Sequence, residues 1–223
     1  MERTARSRWT LTAFLWAIGL SGCSLWPFAD RDRTSYVTPS DRVAAVEEIG
    51  RQATGSESPE QEQLALQLAR QIQTEEDPLV REAIVRAASQ FRTPMADRML
   101  VAALNDSDPY VRQTACKLIG RRQDASAVAA LGEIARTDDD VDVRLAATRA
   151  LGELRHPSAV EHLSSGLHES DPAIQLATVE SLQLVSGEDL GGDVGAWREW
   201  VASRQHGGRP AAVAGRTSFT PPP

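Results

Sequence analysis

Three histidines, His156, His162 and His168, and an acidic run from Asp138 to Asp140 are the first places in this chain to look for metal chemistry. A chelating pair on one helix needs ligands three or four positions apart, whereas His162 and His168 are six apart. The acidic run lacks the glycine turn and distant glutamate of a calcium loop, so it reads as a solvated turn that caps a helix. No glycine-rich phosphate cradle is present, and no serine stands in a nucleophile elbow. The expectation is a protein without catalytic residues, metal or cofactor.

Cysteine chemistry divides between two positions. Cys116 lies in "VRQTACKLIG", where its neighbours predict a helix core and a small buried hydrophobe. Cys23 closes "LTAFLWAIGLSGC", after a basic start at Arg3, Arg6 and Arg8 and an apolar run from Trp9 to Leu20. About 20 residues are needed to span a bilayer, so this run is too short for a lasting membrane helix and reads as a secretory signal. Leu20-Ser21-Gly22-Cys23 resembles the lipobox of bacterial lipoproteins. The resemblance implies cleavage before Cys23, acylation of that cysteine with palmitate-type chains, and export to the cell envelope. Ser24 favours the outer membrane where the Gram-negative sorting rule applies, with the folded part in the periplasm or outside.

Removing residues 1–22 takes away three arginines and one glutamate, moving the formal charge from −7 to −9. An acidic surface gains nothing from anionic headgroups, so the lipid must do the anchoring. The same charge argues against nucleic acid as a partner, since displacing counterions from phosphates needs a basic face. Cys116 is then the only remaining thiol, and no internal disulfide is expected.

The elements that would position any site come from a repeat. "EDPLVREAIVRAASQF", "SDPYVRQTACKLIGRR", "DDVDVRLAATRALGEL" and "SDPAIQLATVESLQLV" align, with Val80, Val111, Val143 and Ile174 in register at steps of 31, 32 and 31 residues. Such periods mark a solenoid. Asp77, Asp108, Asp140 and Asp171 are placed to cap the next helix, and Pro78, Pro109 and Pro172 suit its first turn. Apolar residues then recur three and four apart, as in Val111, Ala115, Leu118 and Ile119. Gly120, Gly152 and Gly187 read as helix C-caps or tight turns. A partner helix precedes each of the last three segments, from Met95, Ser126 and Ser158, so the unit is a helical hairpin that must stack on copies of itself. Trp197, Trp200 and Val201 share one face of a last helix and suit a cap over the core.

"D-P-x-V-R-x-x-A" followed by "A-L-G" resembles HEAT-like repeats, in the short variety named after phycobilisome lyases. The resemblance implies an all-α, right-handed solenoid of about five hairpins. The chain then divides into a signal segment (1–22), a lipidated tether (23–40), the repeat domain (41–205) and a Gly/Pro-rich tail (206–223). It also implies a ladder along one edge, formed by Asp77, Arg81, Asp108, Arg112, Asp140, Arg144 and Asp171, with Gln175 ending it.

Arrays of this family most often present a surface to another protein, along the second helices of the units. Outward positions there include Arg81, Glu82, Arg86, Gln113, Lys117, Arg121, Arg122, Arg149 and Glu153, of which Arg86, Lys117, Arg121 and Arg149 are the candidate contacts. A mostly basic strip on an acidic protein favours an acidic peptide, or a cell-wall polymer, as partner. The expected function is a monomeric, membrane-anchored scaffold or adaptor. A lyase-type activity and a purely structural envelope spacer are the alternatives.

Overall fold

A computed structural model describes residues 37–205, whose regular structure is all helical with no strand among them. The signal segment, Cys23 and the 206–223 tail lie outside the described residues. Ten α-helices follow one another: α1 (Pro39–Arg51), α2 (Pro59–Ile72), α3 (Pro78–Ala88), α4 (Pro94–Ala103), α5 (Pro109–Arg122), α6 (Val128–Thr137), α7 (Val141–Glu153), α8 (Ala159–Leu163), α9 (Pro172–Ser186) and α10 (Val194–Gln205). A 3-10 turn leads into α6, and another, Ser164–His168, continues α8. The first helix starts at Pro39 rather than beyond the expected boundary at residue 41. A capping box fixes it there: the Asp41 N–H bonds Thr38 Oγ1, and the Asp41 carboxylate accepts the Thr38 N–H at 2.9 Å.

Short-range chemistry sets the other starts. Asp77 Oδ1 accepts the Leu79 N–H, and Asp108, Asp140 and Asp171 do the same for Tyr110, Asp142 and Ala173, all at 2.8–2.9 Å. Each oxygen satisfies an amide that the first turn leaves without an intrahelical partner. Proline follows at the first helical position in α3, α5 and α9.

Two layers result. The second helices of the units pack side by side in the order α1, α3, α5, α7, α9, without a break. In the other layer α2 packs on α4 and α6 on α8, while α4 and α6 scarcely touch. The core follows this division. One cluster, built around Leu68, Ile84 and Phe91, fills the stack from α1 to α4. A larger one, built around Leu100, Ile119, Leu131 and Leu151, runs on to Trp197, Trp200 and Val201. Each fully buried leucine in these clusters contributes about 1.5–3 kcal/mol relative to exposure.

Glycine explains how closely the continuous layer packs. A Cβ on Gly50 would lie 3.2 Å from Ala87 Cβ, on Gly120 3.0 Å from Ala150 Cα, and on Gly152 2.8 Å from Ser181 Cα. Gly120 and Gly152 are therefore contact points inside α5 and α7, not the C-caps expected from sequence. The α5 end is instead closed by Gln123 in the left-handed conformation (φ 56°), and only Gly187 (φ 74°) closes its helix as expected.

The edge ladder also differs from expectation in its partners. Arg81 forks onto Asp106 (2.9 and 2.8 Å), and Arg112 onto Asp138 (2.8 and 2.8 Å). Arg42 of α1 grips Glu75 in the same way at 3.0 Å. Asp77, Asp108, Asp140 and Asp171 take no part in these pairs, because their oxygens already cap their own helices. The paired acid stands two residues earlier, where Glu75, Asp106 and Asp138 each also accept the N–H of the capping aspartate. Arg144 donates from Nη1 to the Asp138 carbonyl at 2.9 Å, but its buried Nε has no partner. Gln175 ends the series, donating to the Glu169 carbonyl.

Planar, two-point pairs of this kind are the strong form of the ion pair. Burial pushes the Asp106 and Asp138 carboxyls up, yet the paired guanidinium, the capped amide and the neighbouring arginines outweigh it. Both carboxyls sit below the usual aspartate value.

The last helix closes the core. Trp197 and Trp200 meet edge to face at 5.4 Å and are buried, and Trp197 Nε1 donates to the Gly191 carbonyl at 3.0 Å. Arg204 lies over the Trp200 ring, and Arg198 donates to the Leu167 carbonyl. No described helix is long and apolar enough to cross a membrane.

Candidate partner-binding groove

The exposed side of the α1–α3–α5–α7–α9 layer carries one side chain per helix turn at equivalent places. Arg86 on α3, Lys117 on α5 and Arg149 on α7 occupy the same register position, and Arg121 follows Lys117 by one turn. All four are exposed, but the structure separates them. Arg86 is tied to Glu82, whose carboxylate is buried and also accepts from Thr114 Oγ1 at 3.2 Å. Lys117 donates only to Gln113 Oε1, at 2.8 Å, and neither Arg121 nor Arg149 bonds any described residue. These three line a cleft of about 320 Å³ between α5 and α7. Asp142 and Glu153 also line it, without pairing to the three cations.

Toward α1 the same surface changes character. A cavity of about 600 Å³ is lined by Val43, Leu79 and Tyr110 together with Glu47, Glu82 and Arg86. Leu79 is 62% exposed and Tyr110 52%, both at the residue after a first-turn proline. A smaller cavity of about 290 Å³ joins it through Glu47, Ala83 and Arg86. The same exposed face thus carries an apolar cavity toward α1 and a cationic cleft toward α7, which share no lining residue.

Three residues expected to face outward on this surface do not. Arg81 is a rung of the edge ladder, and Glu82 is buried. Arg122 turns inward to the Ser89 and Phe91 carbonyls and to Asp97, tying the end of α5 to the start of α4. The helix phase at residues 121 and 122 decides which arginine is free. The apolar end was not anticipated; its sequence signal is a large apolar residue after the proline in "DPLV" and "DPYV", where the core face of the helix does not reach.

Other candidate chemistry disperses. Cys116 is fully buried, and burial pushes its thiol up to about 12, far from a reactive thiolate. His156 Nδ1 bonds Ser158 Oγ, while the His162 ring packs against Gly132, where a Cβ would lie 2.2 Å from Nδ1. Among the described residues no group of three or more His, Cys, Asp or Glu could hold a metal ion.

A family model for HEAT repeats matches residues 97–183, which run from within α4 to near the end of α9. Among solved structures, the chain is similar to human deoxyhypusine hydroxylase in complex with glycerol, at 23% identity and a TM-score of 0.41. That likeness covers 79% of this chain and 50% of the hydroxylase chain, so this chain spans half the length of that protein. Among curated proteins none matches. The HEAT-repeat match lies across regularly stacked helical hairpins, and the chain is an all-α solenoid of the HEAT kind.

Proposed function

We propose that the protein is a lipid-anchored, exported scaffold or adaptor that holds a protein partner on the exposed face of its second-helix layer. The observation that carries this reading is the cleft between α5 and α7, where Lys117, Arg121 and Arg149 gather without acidic partners on a chain of charge −7. Several other arginines are spent on structure: Arg42, Arg81, Arg112 and Arg122 each bind a carboxylate of a neighbouring element. Cations left unpaired beside a groove are placed to meet charge brought by something else. Anchoring rests on the lipobox-like Leu20-Ser21-Gly22-Cys23, with the acyl chains on Cys23 as the membrane contact.

The test is crosslinking of the full chain in its native cells, with partners identified by mass spectrometry, beside a Cys23→Ser control and a variant charge-reversed at Arg86, Lys117 and Arg149. A discrete partner recovered from the membrane fraction with the unaltered chain, and lost with the charge-reversed one, is the expected result. Equal capture by all three forms overturns the reading.

A further inference from the structure

We propose that the groove takes an acidic protein segment in extended form, with an apolar residue seated at Val43, Leu79 and Tyr110 and carboxylates four and six positions away at Lys117, Arg121 and Arg149. This rests on the adaptor reading and specifies its partner. The two ends of the groove ask for different side chains. The cavity by α1, α3 and α5 exposes Leu79 and Tyr110; of the two acids that line it, Glu82 is buried and bound by Arg86 and Thr114, while Glu47 is exposed. An apolar side chain entering there covers Leu79 and Tyr110, and the exposed Glu47 disfavours a second carboxylate at this end. The α5/α7 cleft offers three cations with no carboxylate bound.

Spacing follows from helix geometry. Tyr110 and Lys117 are seven residues apart on α5, about 10 Å along its axis. One step across to α7 adds about 8–10 Å. Measured from the middle of the cavity, about half a helix spacing beyond Tyr110 toward α3, the diagonal to the cationic cleft is roughly 16–18 Å, which an extended chain covers in four to six residues at about 3.3 Å each. Extended segments alternate their faces, so residues i, i+4 and i+6 look toward the same surface. A polyanion without side-chain variety would use only the cationic end.

The experiment pans a random dodecapeptide phage library against the full-length protein in detergent, then measures synthetic versions of the enriched sequences by fluorescence anisotropy. The expected consensus has an aromatic or large aliphatic residue and acids at four and six positions from it. K117E/R121E/R149E and L79S/Y110S, both on exposed side chains, should each weaken binding at least tenfold with melting temperature unchanged. Poly(glycerol phosphate) should compete poorly. No enrichment, a consensus without acids, or equal binding by K117E/R121E/R149E overturns the proposal. A consensus of acids alone, displaced as well by poly(glycerol phosphate) as by peptide, assigns the groove to an anionic polymer and overturns it too. Crosslinked capture of a cellular partner that is lost on charge reversal of Arg86, Lys117 and Arg149, with no acidic-apolar peptide enriched, would leave the adaptor reading standing while this assignment falls; loss of both results would remove both.

Discussion

Two consecutive steps of the second-helix layer are closed by different means. Between α5 and α7, Arg112 reaches across the edge to Asp138 with two hydrogen bonds, and Gly120 lets Ala150 approach. Between α7 and α9 the equivalent Arg144 finds no carboxylate, and its Nε is buried without a partner. That step is held instead by the closest of the layer's glycine contacts, Gly152 on Ser181, and by the Ser181 hydroxyl donating to the Thr148 carbonyl at 2.9 Å. A repeat interface therefore does not need every element of its pattern. Where the charge pair is missing, close packing and one neutral hydrogen bond take its place.

The sharpest way to break the first step is Arg112→Met. The Asp138 carboxylate is only 4% exposed and would be left as an uncompensated buried charge. Stability at pH 7 should fall by about 3–5 kcal/mol, read from urea midpoints. A loss under 1 kcal/mol would mean that the pair is ornamental. The pH dependence sharpens this. In the unaltered protein the folded Asp106 and Asp138 carboxyls titrate below their ordinary 3.8, so both pairs contribute fully above that value. Their contribution is lost as pH falls from 3.8 through the lower folded values. In Arg112→Met, burial without its partner raises the Asp138 carboxyl instead, so acidification relieves the variant. The gap between variant and unaltered protein should therefore narrow between pH 7 and pH 3.

Glycine supplies the next contrast, between α7/α9 and the first step of the layer. Alanine at Gly152 places Cβ 2.8 Å from the Ser181 Cα, so backbone must move, at a cost of about 1–3 kcal/mol. At Gly50 the neighbouring atoms are 3.2 and 3.3 Å away, and the gain in helix propensity of about 1 kcal/mol offsets the crowding. Gly152→Ala should lower the melting temperature and Gly50→Ala should leave it near the original. The reverse order would show that the α7/α9 step is not held by close approach.

How legible all this is in the sequence depends on range. The starts of α3, α5, α7 and α9 were readable because a capping aspartate, followed by proline in all but α7, settles each one within a turn, and the 31- and 32-residue steps repeat the same choice. The ladder partners were not, because Arg81 and Arg112 reach acids 25 and 26 residues away, and each target turn holds more than one acid. The residue that caps the helix and the one that takes the arginine are both acidic and stand only two positions apart. An acid does recur two places before each cap (Glu75, Asp106, Asp138, Glu169), and that recurrence is the signal that separates the two roles. In the groove, Lys117, Arg121 and Arg149 stand on the exposed face as expected. Arg122 could not be separated from Arg121 without the left-handed Gln123 that fixes where α5 ends.

The smallest expected effect lies at the incomplete rung. Arg144→Met removes a guanidinium whose Nε is already without a partner and keeps most of the apolar stem. The loss is one hydrogen bond to the Asp138 carbonyl, at about 0.5–1.5 kcal/mol, against the relief of a buried unsatisfied donor at about 1–3 kcal/mol. These nearly cancel, so the urea midpoint should move by less than the equivalent of about 1 kcal/mol, in either direction. Glu169→Asp offers the complementary variant, since Asp is the residue that completes the rung at 106 and 138. Glu75 grips Arg42 with the longer side chain, so a glutamate at this place is not in itself excluded from pairing. If Glu169→Asp raises stability in the Arg144 background and does nothing in Arg144→Met, the α7/α9 step lacks its rung for want of a correctly placed carboxylate. If both variants are silent, the edge of this step carries no load, and the glycine contact beside it holds α7 to α9 alone.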